Sequence, residues 1–205
     1  MKWNPTQKEA KKFHKLICKH YDTKYIYTGS WIGKLYKRFV AVPIIHKACE
    51  YANAGDPNKW LEDRIITLGE YILMDTIFGK STNAKKLFDE ILISGHEHTH
   101  VCQEDVEGLL DFEVKYISKP GIRARFEIEA IKTEMYLTAW NDLSLETPAY
   151  YVNKLKRIYA FTEKDINSIR TAIEKIIKEY NKYGIDILST SVTKDIIKII
   201  NVVRG

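Results

Sequence analysis

The run His96-Glu97-His98-Thr99-His100 has the spacing H-E-x-x-H, and it constrains the fold more than any other stretch because its chemistry exists only on a helix. A helix turns about 100° per residue, so His96 and His100 lie about 40° apart and can close on one Zn2+ through their imidazole nitrogens. Glu97, about 100° from His96, is near enough to take a proton from a water at that metal, which places it as a general base rather than a ligand. His98, at about 200°, faces away and reads as a packing or surface histidine.

The mechanism needs a third ligand, and a second helix after the Pro120-Gly121 turn offers one. With Glu127 at zero on its wheel, Ile131, Thr138 and Met135 fall at about 40°, 20° and 80°, so Glu127 shares the apolar face. A lone carboxylate there is costly to bury without a cation, and zinc would be one. Glu129 points to the polar side and is the weaker candidate. Glu134 shares the direction of Glu127 two turns on, as a supporting partner or, in a shifted register, as a ligand. Gln103 falls near His96 on its own wheel and could orient a ligand or the third-ligand helix, or make only a structural hydrogen bond. Tyr136 could donate to an oxyanion, although core packing is the stronger reading.

The run from Leu87 through Gly95-His96-Glu97-His98-Thr99-His100-Val101-Cys102-Gln103, followed by Arg125-Phe126-Glu127-Ile128-Glu129-Ala130, resembles the small bacterial and phage zincins. Those pair H-E-x-x-H-V-x-Q with a later glutamate element and are similar in layout to gluzincin peptidases. The segment Ile65-Ile66-Thr67-Leu68-Gly69 looks like the strand beside their active-site helix. The resemblance covers about residues 60–140 and implies His96, His100 and Glu127 as zinc ligands with Glu97 as base. It departs at Ile131, where many gluzincins carry Asp, so support for the metal from outside the ligand set must come from elsewhere.

A chain of 205 residues, 45% hydrophobic and 29% charged, can bury a sizeable core. The formal charge of +5 reads as lysines spread along solvated faces, with no Arg-rich stripe, so no specific nucleic-acid partner is expected. Cys18, Cys49 and Cys102 are too few and scattered for a disulfide framework, and Cys102 reads as a small apolar filler. His14, His20 and His46 lack metal-ligand companions. No leader segment is read at the amino terminus and no run reaches the length of a membrane span. The expectation is a cytoplasmic protein, or a virion protein if phage-encoded, with no membrane partner.

Periodicity predicts a mostly helical α+β chain: a zincin-like core with a small sheet beside the active-site helix, plus flanking helices. Asn4 with Pro5 would start the first helix, Tyr25-Ile26-Tyr27-Thr28 is extended, and residues 32–54 form a helix kinked near Pro43. Gly55-Asp56-Pro57-Asn58 is a turn, and 64–75 reads as strand interrupted at Gly69. The motif helix spans about 84–107, and a shorter one 109–118. Thr162 caps another that ends at Gly184, and Ile196-Ile197-Lys198-Ile199-Ile200 belongs to a last amphipathic segment. A zincin-like domain over 1–147 and a helical extension over 148–205, packed on the core or serving as an assembly surface, is the implied organisation.

These readings lead to a zinc-dependent metallohydrolase, a peptidase acting on a peptide or protein laid along Thr67–Tyr71. The competing expectation is a non-catalytic scaffold of the same shape, for example in a phage particle, with assembly partners bound through its terminal helices. It is favoured by Ile131, by the Lys- and Ile-rich composition, and by the helices at both ends.

Overall fold

The structure is a computed structural model that describes residues 2–52, 66–74, 77–159 and 161–205. The turn expected at Gly55-Asp56-Pro57-Asn58, and Ile65, lie outside the described residues. The described chain is predominantly helical, with one small three-stranded sheet, as an α+β protein.

Helix α1, Gln7–Tyr21, starts later than Asn4 suggests. Thr6 is its cap, because the Thr6 side chain accepts from Glu9 N–H while the Glu9 side chain accepts from Thr6 N–H, satisfying orphan donors at both residues. Strand β1, Lys24–Tyr27, follows. The helix expected over 32–54 is α2, Trp31–Tyr36, a π-helical turn, Lys37–Ala41, and α3, Val42–Ala52. Val42 N–H bonds to Lys37 O across this turn. The wider register sits just before Pro43, which has no N–H to continue the ordinary ladder.

Residues 66–74 form a hairpin rather than one interrupted strand: β2, Ile66–Leu68, and β3, Tyr71–Met74, pair antiparallel with Leu68 opposite Tyr71. Gly69 takes a φ of 55° in the two-residue connection, a left-handed value that glycine adopts without a Cβ clash. β1 pairs parallel with β3, giving the order β1-β3-β2.

Helix α4, Ala84–Glu107, carries the H-E-x-x-H run, and Gly108, at φ 82°, ends it. Then come α5, Leu109–Ser118, and α6, Pro120–Trp140, which has proline at its first turn. Helix α7, Pro148–Ile158, is not among the expected elements, although Thr147 before Pro148 is a recognisable start signal. Helix α8, Glu163–Tyr183, has the expected Thr162–Asp165 capping box, and α9, Thr193–Arg204, contains the last amphipathic segment.

The apolar residues form clusters on both sides of the paired helices α4 and α6. On one side Phe13 and Ile17 of α1, Leu87 and Ile91 of α4, and Ile196 and Ile200 of α9 pack together. On the other, Ile131 and Met135 of α6 meet Leu155 of α7 and Ile169 and Ile173 of α8. A further cluster joins Ala41, Ile45 and Cys49 to Leu68, Leu73 and Ile117. Each fully buried side chain of this size contributes roughly 1.5–3 kcal/mol, so α4 and α6 are clamped from both sides.

Candidate metal centre

Helices α4 and α6 bring together one nitrogen from each of His96 and His100 and an oxygen of Glu127, all within 4.8 Å of one another. His96 Nε2 and His100 Nε2 are 3.2 Å apart. His96 Nε2 lies 3.5 Å from Glu127 Oε2, and His100 Nε2 lies 3.5 Å from Glu127 Oε1. A tetrahedral site with bonds of about 2.0–2.1 Å has ligand–ligand edges of about 3.3 Å, so the donors are spaced as zinc ligands are. Glu127 is 1% exposed, and His96 and His100 are 9% and 6% exposed.

The outward ring nitrogens are occupied by partners. His96 Nδ1 pairs with Glu134 Oε1 at 2.6 Å, and Lys154 of α7 donates to both oxygens of Glu134 at 2.7 Å. His100 Nδ1 pairs with Gln103 Oε1 at 2.8 Å. The Gln103 amide is itself oriented, because its Nε2 donates to Glu129 Oε2 and to Phe126 O. With a metal in place, each imidazole would keep its proton on Nδ1 for these partners and turn the Nε2 lone pair inward, the arrangement that a metal-binding histidine requires. Glu134 does for His96 what the residue at 131 does not, and Gln103 both orients a histidine and ties α4 to α6.

Glu127 is held from behind. Tyr116 and Tyr159 both donate to its Oε1, and their two hydroxyl oxygens lie 2.6 Å apart. Burial would raise the Glu127 carboxyl, but hydrogen bonds from His100 and His96 hold it well below the carboxylate range. Burial likewise opposes charge on Glu134, which Lys154 and His96 nevertheless keep at about 2. At His96 burial disfavours the proton, yet the contacts with Glu127 and Glu134 outweigh it and hold the ring protonated up to about 10. Buried carboxylates here gather positive charge, and a divalent cation would replace the proton between His96 and Glu127.

Glu97 stands beside this cluster at 7% exposure, and Thr67 of β2 donates to its Oε2 at 2.7 Å. That bond fixes the side chain against the hairpin. His98 points the other way, fully buried, with Nδ1 on Ser94 O and Nε2 on the Thr23 hydroxyl. Burial pushes its proton affinity down to about 4, so it packs as a neutral ring. Glu129 is exposed and, among the described residues, is tied to the site through Gln103. Tyr136 packs among apolar residues of the flanking clusters. His14 stacks on Phe78, and His46 is exposed.

Sequence reasoning missed Thr67 as a partner of Glu97, and also Tyr116, Lys154 and Tyr159. The Thr147-Pro148 start would have announced α7, but nothing local says that Lys154 reaches across to Glu134. The chain matches no family model, no curated protein and no solved structure.

Proposed function

We propose that this chain is a zinc-dependent metallohydrolase of zincin type, similar in its ligand pattern to the gluzincins, and within that class a peptidase. The observation that carries the reading is the convergence of His96, His100 and Glu127 at ligand spacing with a carboxylate, Glu97, held beside them. Bound zinc would polarise a carbonyl and bring the pKa of a water to about 7. Glu97 takes the proton of the attacking water and passes it to the leaving amine. Thr67 occupies one oxygen of Glu97, which leaves the other for proton transfer. Glu134 and Gln103 keep the histidine rings in register.

A peptide substrate suits the site because β2 pairs only with β3 among the described residues. An extended chain added to that edge would run past Thr67, next to Glu97. The test is cleavage of a peptide library by the zinc-loaded protein, read by mass spectrometry. Glu97→Gln should keep the parent's zinc and lose on the order of a hundredfold or more in rate. Cleavage at the parental rate in Glu97→Gln overturns the mechanism. No cleavage by the zinc-loaded parent overturns the peptidase reading and favours the scaffold.

A further inference from the structure

Segment 31–39 presents an apolar stripe to solvent. Trp31 is 71% exposed, Phe39 65%, Ile32 53% and Leu35 44%. At about 100° per residue Trp31, Ile32 and Leu35 of α2 fall within one arc of about 100°, and Phe39 follows about one turn after Leu35, in the π-helical turn. Within the segment, Tyr36 packs partly buried against the apolar cluster of Leu68, Leu73 and Ile117, and the helical run continues into Ala41, Ile45 and Cys49 of the same cluster. The outward stripe is thus a fixed feature of a packed element. Adjacent exposed apolar residues of this size mark an interaction surface.

Charge identifies the partner. From Thr23 to Cys49 the sequence has Lys24, Lys34, Lys37, Arg38 and Lys47 and no Asp or Glu. The chain has 32 basic and 27 acidic residues in all, so outside this segment the two signs cancel. In the sequence, the excess of basic over acidic residues falls in this segment. Lys24 pairs with Glu70, whereas Lys34 and Arg38 are exposed beside the stripe.

We infer that Trp31, Ile32, Leu35 and Phe39, flanked by Lys34 and Arg38, form an attachment face for an anionic lipid surface. Aromatic and aliphatic side chains enter the headgroup boundary while the cations meet lipid phosphates, the combination that holds an amphipathic segment in the plane of a bilayer. No helix among the described residues is long and apolar enough to cross a membrane, and such attachment needs none. The face revises the expectation that no membrane is involved. A second copy fits poorly, because a two-fold contact would set Lys34 and Arg38 of both copies together without acids. This inference stands independently of the metal centre.

The test is cosedimentation of the full chain with vesicles of phosphatidylcholine, with and without phosphatidylglycerol. The parent should sediment only with the anionic vesicles, and less as salt rises. Trp31→Ser/Phe39→Ser and Lys34→Gln/Arg38→Gln should each lower the bound fraction on the order of tenfold, with circular dichroism and zinc content unchanged. No sedimentation of the parent, or equal sedimentation of the variants, overturns the inference. So does a parental dimer that Trp31→Ser/Phe39→Ser abolishes, or binding to polyglutamate that needs the same aromatics, since these assign the face to a second copy or to an acidic protein.

Discussion

Glu104 and Glu113 are carboxyls that the fold holds away from water, at 3% and 5% exposure. Glu104 follows His100 by one turn of α4, and its Oε2 accepts from Gly69 N–H in the hairpin connection, while its Oε1 has no hydrogen-bond partner among the described residues. Burial, reinforced by Glu113, raises Glu104 to about 9, and burial raises Glu113 to about 8. Both are therefore neutral near pH 7. A carboxyl whose folded pKa is raised contributes full stability below its unfolded value, and that contribution is lost as pH rises through the folded value. The melting temperature should fall between about pH 5 and about pH 9, with a loss on the order of a few kcal/mol. Glu113→Gln should flatten the fall and match or exceed the parent at about pH 9. A thermal melt series in which both proteins decline equally would contradict the assignment. These carboxyls were not legible in the sequence, since Glu104 lies in a charged stretch and its contact with the hairpin is remote in sequence. The grouping of His96, His100 and Glu127 was legible because the histidine spacing and the helix register are local, whereas Thr67, Tyr116, Lys154 and Tyr159 reach the cluster from elements remote in sequence.

The proposed metal centre depends on how closely α4 approaches α6, and Gly95 sits at that approach. A Cβ there would lie 3.0 Å from Leu137 Cδ1, 3.1 Å from Thr133 Cγ2 and 3.2 Å from Ile196 Cδ1. One turn on, Thr99 and Thr133 join their hydroxyls at 2.9 Å across the same contact. Gly95→Ala would gain about 1 kcal/mol in helix propensity but overpack the contact by about 1–3 kcal/mol. The expected result is a lower melting temperature and weaker zinc retention, because the methyl pushes His96 away from Glu127. A higher melting temperature with zinc unchanged would refute the close-approach account. Helices with clear periodicity and punctuation were legible, as α4 and α8 illustrate. The hairpin was read as one strand because Gly69 looks the same in sequence whether it interrupts a strand or turns it. The start of α1 was misplaced because Asn4-Pro5 and Thr6 with Glu9 are competing caps, and the reciprocal Thr6–Glu9 bonds decide.

In the molecule as a whole, the centre lies where a helix pair is clamped between apolar clusters drawn from both ends of the chain. Helix α1 and helix α9 meet on one side, and α7 and α8 cover the other, so residues after 147 supply Lys154 and Tyr159 to the centre itself. That a mostly helical α+β protein would form was readable from periodicity. Which helices would flank the motif was not, since the amphipathic faces do not name their partners. The central claim is that His96, His100 and Glu127 hold one zinc ion, and the choice of carboxylate is its sharpest point. Glu127 is buried against both histidines, whereas Glu129, two residues on, is exposed and, among the described residues, is tied to them through Gln103. Elemental analysis of the purified protein and of the two alanine variants, with melting temperatures alongside, tests this most directly. The account predicts about one equivalent of zinc in the parent, its loss with a lower melting temperature in Glu127→Ala, and near-parental values in Glu129→Ala; full zinc in Glu127→Ala, or its loss only in Glu129→Ala, would contradict it.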